Sequence, residues 1–100
     1  MSMAKVKPVI ITQQAQQDID DIIEGIIEYT GFEVSGIRLY NELYEKFELI
    51  GFMPSGIGRL RDDGTRETFT RRYRIVYKEF DDEVWIITVI HSSRIYPRPS

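Results

Sequence analysis

Twenty residues, Arg59 to Lys78 (RLRDDGTRETFTRRYRIVYK), carry seven basic side chains against three acidic ones, Asp62, Asp63 and Glu67. The basic ones are Arg59, Arg61, Arg66, Arg71, Arg72, Arg74 and Lys78. A guanidinium offers a planar fork of donors that matches a phosphate or a carboxylate two bonds at a time, so clustered arginines make a receptor for oxyanions. Along a strand, residues two apart share a face. Arg72 and Arg74 are therefore expected on one face, with Arg71, Tyr73, Ile75 and Tyr77 on the other. If Ile75 and Tyr77 pack inward, Arg72 and Arg74 join Arg59 or Arg61 of a neighbouring strand on the open face. The plainer reading is a solvated face whose arginines pair with Glu67, Glu79 or Glu83, and such surface pairs contribute little.

The second candidate is the only histidine, His91, which ends an apolar stretch and is followed by Ser92, Ser93, Arg94 and Tyr96. An imidazole beside an arginine and a tyrosine suits general acid–base work on a ribose 2′-hydroxyl, with the arginine stabilising charge on phosphorus. The alternative is a histidine that only makes structural hydrogen bonds at a strand end. Glu24, Glu28, Glu45 and Glu48 recur at helical spacing and read as solvated helix surface. There is no glycine-rich phosphate loop, nucleophile elbow or metal motif. With no cysteine and one histidine, thiolate chemistry and disulfides are excluded and a zinc site is not expected. Neither a metal nor a small-molecule cofactor is expected.

The elements that must hold these residues follow from periodicity. Val and Ile between Lys5 and Ile11, with Pro8, suit an edge strand. Thr12 is placed to cap a helix in which Ala15, Ile19, Ile22, Ile23, Ile26 and Ile27 keep a helical period opposite Asp18, Asp21, Glu24 and Glu28. Gly31 is its expected C-cap. A second helix, about Glu33 to Ile50, carries a stripe of Ile37, Tyr40, Leu43, Tyr44, Phe47 and Ile50, and is stopped by Gly51 and Pro54. Ser35 and Gly36 are small enough to let the two helices approach closely, as an antiparallel hairpin. From Gly56 the period turns strand-like: Ile57–Arg61, an Asp-Gly turn at 62–65, Glu67–Thr70, then Arg71–Phe80 and Glu83–His91. The last strand is apolar on both faces and is expected inside the sheet. The predicted class is α+β: an N-terminal strand and a two-helix hairpin packed on one face of a mostly antiparallel four-stranded sheet, in a single domain over residues 1–100.

Charge is segregated. Residues 1–50 hold four Lys/Arg and nine Asp/Glu, while residues 51–100 hold nine and seven. The net charge of −3 argues against broad, non-specific nucleic-acid affinity, which needs many uncompensated cations. The basic stretch can still attract a local anion. No apolar run is long enough to span a bilayer and the N-terminus lacks a signal-peptide pattern, so a cytoplasmic protein without membrane contact is expected.

Ala15-x-x-Asp18-Ile19, Pro54 through Gly58-Arg59, Arg71-Arg72-Tyr73-Arg74-Ile75-Val76-Tyr77 and Val89-Ile90-His91-Ser92-Ser93-Arg94 occur in an order that resembles the RelE/ParE superfamily of type II toxin–antitoxin toxins, over roughly Val9 to Pro97. The resemblance implies a growth-inhibiting toxin neutralised by a cognate antitoxin wrapped across its surface, of the kind associated with plasmid stabilization. RelE-like members are endoribonucleases that cleave mRNA in the ribosomal A site, and ParE-like members poison DNA gyrase. Arg74 matches the phosphate-holding arginine of the RNase branch, and Arg94 and Tyr96 fall near its C-terminal Arg and Tyr, so an RNase would use Arg74, His91, Arg94 and Tyr96. The stretch Arg66–Arg71 has no lysine, however, and the loop Phe52–Gly58 has no acidic base. The His91-x-x-Arg94 ending looks more like ParE. A ParE-like toxin is therefore expected, with Arg59, Arg61, Arg72, Arg74, His91 and Arg94 facing the target or the antitoxin. The antitoxin segment is expected to combine apolar anchors with acidic side chains over the helix grooves and the arginine face. The alternatives are a RelE-like enzyme, with ribosome and mRNA as partners, or an inactive homologue that only binds.

Overall fold

The computed structural model describes residues 6–93. They run in the order β1 (Val9–Ile11), α1 (Gln13–Thr30), α2 (Glu33–Phe52), α3 (Pro54–Ile57), β2 (Arg59–Leu60), β3 (Arg66–Thr70), β4 (Tyr73–Glu79) and β5 (Val84–His91). The strands form one sheet in the order β1-β5-β4-β3-β2. It has five strands rather than four, because the two-residue β2 adds to the far edge. All pairs are antiparallel except β1 with β5, which is parallel because the helical hairpin carries the chain back to the starting end of the sheet. As its apolar run predicts, β5 lies inside the sheet, between β1 and β4.

Both ends of α1 are set locally. Thr12 is extended, and its hydroxyl accepts from the Ala15 N–H (3.2 Å), satisfying a donor of the first turn. Gly31 closes the helix in the left-handed region (φ 75°) and donates to the Ile27 carbonyl, a conformation a Cβ disfavours. Thr12 also faces the sheet, where its hydroxyl donates to the carbonyls of Ile86 (2.8 Å) and Ile87 (3.1 Å). The helix therefore starts pinned to the edge of β5 just where β1 runs out.

One turn later Asp18 continues that role. Its Oδ2 accepts from the Val89 N–H (3.1 Å) and from the Thr88 hydroxyl. These donors lie on the length of β5 that β1 does not reach. Asp18 thus replaces a missing strand, and a buried backbone N–H that would otherwise be unsatisfied is paired.

Ala15 and Ile19 of α1 and Leu39, Leu43, Phe47 and Ile50 of α2 close over Ile75 and Tyr77 of β4 and Val84, Ile86 and Val89 of β5. Ile86 and Val89 both reach this core although they are three apart. The register slips from Val76↔Thr88 to Tyr77↔Ile86, so Ile87 is an extra residue and the bulge turns the second half of β5 over. Leu39, not in the expected stripe of α2, is fully buried, whereas Ile37 (58% exposed) and Tyr40 (42%) lie on the flank of that helix. Gly36 makes the close approach its size predicts: a Cβ there would meet Ile27 Cδ1 at 2.8 Å.

Candidate functional site

Arg59 follows Gly58, and its position depends on how tightly that glycine packs. Tyr77 is fully buried, and its hydroxyl donates to the Pro54 carbonyl. A Cβ on Gly58 would overlap that hydroxyl and lie 2.6 Å from ring carbons Cε1 and Cζ. Only glycine lets the chain pass the ring into β2. Arg59 then stands directly across from Glu67 of β3.

On this outer face, away from the helices, Arg59 Nη2 donates to Glu67 Oε1 (2.8 Å), and Arg74 Nη1 lies 3.3 Å from Glu67 Oε2. The carboxylate is the buried member: its side chain is 7% exposed, against 78% for Arg59 and 20% for Arg74. Burial alone would raise the Glu67 pKa. The Arg59 hydrogen bond and the charges of Arg74, Arg59 and Arg61 outweigh it, so the carboxyl is held below its ordinary value of 4.5 and stays ionised. The Arg74 guanidinium is fixed further by the Phe69 ring, 5.4 Å from its centroid, and by a 3.5 Å contact to the Ser92 carbonyl. Arg59 and Arg74 therefore hold one carboxylate between them, and the charge of Arg61 acts on it as well.

Arg71 and Arg72 do not extend this cluster along a strand. They form the turn between β3 and β4, which begins only at Tyr73. Arg71 sits at φ 52°, a left-handed conformation uncommon away from glycine. Its guanidinium engages Glu42 of α2, with Nη2 to Oε1 at 2.7 Å and a second contact from Nε. Arg72 is exposed, and its carbonyl accepts from the Ser92 N–H (2.6 Å). The turn breaks the alternation that would have aligned Arg72 with Arg74.

His91 lies on the other side of the sheet. It pairs across the strands with Tyr73, edge to face at 5.7 Å, whereas Arg74 pairs with Ile90. Cross-strand partners share a face and adjacent residues do not. The imidazole therefore borders a cavity of about 340 Å³ with Asp18, Asp21, Ile22 and Tyr73, under the start of α1. The Ser93 N–H donates to His91 Nδ1 (3.2 Å), and the Ser93 hydroxyl lies 2.7 Å from the same nitrogen. The sheet thus separates His91 from Arg74, and the two do not converge on one point. Arg94 and Tyr96 lie outside the described residues.

A third surface was not singled out by motif. Ile23 and Ile27 of α1 and Ile37 and Tyr40 of α2 line a groove along the hairpin, made of two adjoining cavities of about 330 and 420 Å³. Its rim is Asp20, Glu24, Glu28 and Glu33, and α1 holds no Lys or Arg at all. Tyr40 stacks on Tyr44 at 4.4 Å. Burial, then the hydrogen bond and charge of Tyr40, then the charge of Asp20, push Tyr44 up to about 12. The signal was present in the sequence as surplus apolar positions on both helices. Their exposure depends on how the hairpin turns toward the sheet. Among the described residues no group of three or more His, Asp or Glu could hold a metal ion, and no helix is long and apolar enough to cross a membrane.

Over residues 9–96 the chain matches the family described as ParE toxin of type II toxin-antitoxin system, parDE. The chain belongs to the ParE toxin family. Comparison with curated proteins returns no match. Among solved structures, this ParE-family chain is similar to a chain of the chromosomal ParDE toxin–antitoxin system from P. aeruginosa, with a TM-score of 0.77, 14% identity, and 86% of this chain and 96% of that chain covered. It is also similar to a chain of the toxin–antitoxin complex RelBE2 from Mycobacterium tuberculosis, with a TM-score of 0.60, 22% identity, and 89% and 97% covered. The ParE-family chain therefore shares its fold with components of toxin–antitoxin complexes. By its family it is a toxin of a type II toxin–antitoxin system.

Proposed function

We propose that this toxin acts by poisoning DNA gyrase and not by cleaving mRNA. The observation that carries the reading is the division of the candidate residues between two faces. An RNase would need the phosphate-holding Arg74 and an acid–base group such as His91 at one scissile bond, within hydrogen-bonding reach of the same nucleotide. Arg74 lies on the outer face against Glu67, while His91 opens on the helix face. A protein target asks for no such convergence, because separate patches can bind separate parts of a large surface.

The same geometry suits an antitoxin segment of particular chemistry. The hairpin groove offers apolar anchor sites between acidic rims, so the segment lying there combines apolar side chains with Lys or Arg, not with the acidic ones expected from the arginine cluster. An amphipathic helix with anchors three and four residues apart fits such a groove. Acidic side chains of the antitoxin belong instead near Arg72, an exposed arginine that stands outside the Glu67 cluster.

The test is purified protein against both targets. The expected result is loss of gyrase supercoiling or trapping of cleaved DNA, with A-site mRNA intact by primer extension in a translating extract. Cleavage that depends on ribosomes, with supercoiling unaffected, would reverse the reading. Induction without the antitoxin should arrest growth. Normal growth with folded protein present would mark the chain as an inactive homologue.

A further inference from the structure

We propose that Arg59 and Arg74 form an oxyanion seat that the chain fills with its own Glu67 carboxylate, and that this occupancy keeps phosphodiester backbones off the outer face of the sheet. Glu67 is thereby a specificity-determining residue of the toxin surface.

Two guanidiniums approach the two oxygens of a single carboxylate, Arg59 Nη2 at Oε1 (2.8 Å) and Arg74 Nη1 at Oε2 (3.3 Å). The first is a charge-assisted hydrogen bond and the second an ion pair, and the same two guanidiniums could face two oxygens of a phosphate. The seat is built, since β2 and β3 place Arg59 opposite Glu67, and Phe69 and the Ser92 carbonyl fix Arg74. The occupant is covalently attached and buried, so it competes at a local concentration no dilute ligand reaches. Arg61 adds charge to the same carboxylate. A sheet face rich in arginine would otherwise attract nucleic acid through its phosphates. With Glu67 in place, the two arginines that could clamp a phosphate are already engaged. The short β2, its register and the spacing Arg59, Glu67, Arg74 produce this arrangement, and it holds whichever macromolecule the toxin targets.

The experiment is Glu67→Gln, which keeps the side chain's shape and removes its charge. Binding of a labelled single-stranded RNA oligonucleotide is followed by anisotropy across a salt series. Wild type is expected to bind weakly. Glu67→Gln is expected to bind roughly tenfold more tightly at low salt, with a salt slope steeper by about 0.7 to 1.4, as for one or two newly engaged phosphates on a single strand. Glu67→Gln/Arg74→Ala should lose that gain. Wild type that binds as tightly as Glu67→Gln, a folded Glu67→Gln that gains nothing, or a gain that persists in the double variant would each overturn the proposal. A measurement on the unaltered protein stands beside these should Glu67→Gln not fold. The Arg59 and Arg74 Nε–Hε resonances should stay in place when inorganic phosphate is titrated in, and a saturable shift of both would overturn the proposal. Neither assay contains gyrase or ribosomes, so failure here is distinct from failure of the target assignment.

Discussion

Replacing Gly58 by alanine tests the link between the core and the arginine face. The new methyl group would overlap the Tyr77 hydroxyl and sit 2.6 Å from two ring carbons, well inside carbon–carbon contact. Gly58 itself is extended (φ −108°, ψ 152°), so the alanine backbone is unstrained and any cost comes from packing alone. Tyr77 is fully buried and has no solvent to turn toward. Overpacking of this kind costs about 1–3 kcal/mol. If the ring is displaced, the hydrogen bond to the Pro54 carbonyl goes too, for about 1 kcal/mol more. A total near 3 kcal/mol lowers the melting temperature by roughly 12–24 °C in a domain of this size.

The assay is thermal and urea unfolding of four proteins: wild type, Gly58→Ala, Tyr77→Phe and the double variant. Tyr77→Phe removes the hydroxyl, the atom nearest the new methyl, but leaves Cε1 and Cζ in the way. The double variant should therefore be less unstable than the sum of the singles by about 1 kcal/mol, the coupling typical of residues in contact. Gly58→Ala should also loosen Arg59 from Glu67, visible as a shift of the Arg59 Nε–Hε resonance. A Gly58→Ala protein within about 0.5 kcal/mol of wild type, or strictly additive singles, would refute the packing argument.

Arg74→Ala should cost more stability than an ordinary surface change, about 1–2 kcal/mol by denaturant unfolding, because it strips a buried carboxylate of one of its guanidiniums; a loss below about 0.5 kcal/mol would show Glu67 to be satisfied by Arg59 alone. Thr12→Val should cost about 1–2 kcal/mol and Thr12→Ser much less, since serine keeps both the helix cap and the bonds to the β5 carbonyls; equal losses would exclude the hydroxyl as the cause. Glu67 and Glu79 are both held below their ordinary value of 4.5, Glu67 by its arginines against the opposing effect of burial and Glu79 chiefly by the Lys7 hydrogen bond. A lowered folded-state pKa gives stability that is complete above the unfolded value and disappears as pH falls through the folded one. Unfolding followed from pH 7 downward should thus show a decline beginning below about pH 5, shallower in Glu67→Gln than in wild type; identical acid limbs would refute the role of Glu67. Lys or Arg placed at Glu24 and Glu28 should weaken antitoxin binding at low salt more than at high salt, measured by calorimetry, and a salt-independent loss would point to packing rather than charge.

Periodicity and capping chemistry are local, and they determined the elements. Thr12 and Gly31 bound the first helix because their side chain, or lack of one, satisfies that helix's own termini. The helical spacing of Ile19, Leu43, Phe47 and Ile50 and the run Val84–His91 were enough to place a hairpin on one face of a sheet with β5 inside it. The strongly basic stretch at Arg59–Lys78 and the lone histidine were equally plain. The spatial relations among those residues belong to the tertiary structure. Alternation along a strand predicts faces only while the strand lasts, and the turn at Arg71–Arg72 and the bulge at Ile87 interrupt it. These two interruptions keep Arg72 out of the cluster and return Val89 to the core. The pairing of β2 with β3 joins residues eight apart, and that of β3 with β4 brings in Arg74, so Glu67 becomes a buried counter-ion instead of a solvated acid. Asp18 reads as helix surface in the sequence, and only the early end of β1 makes it the acceptor for the open edge of β5, 71 residues away. Long-range pairing decides which charges meet, because a side chain's neighbours across a sheet are set by register rather than by its own sequence context.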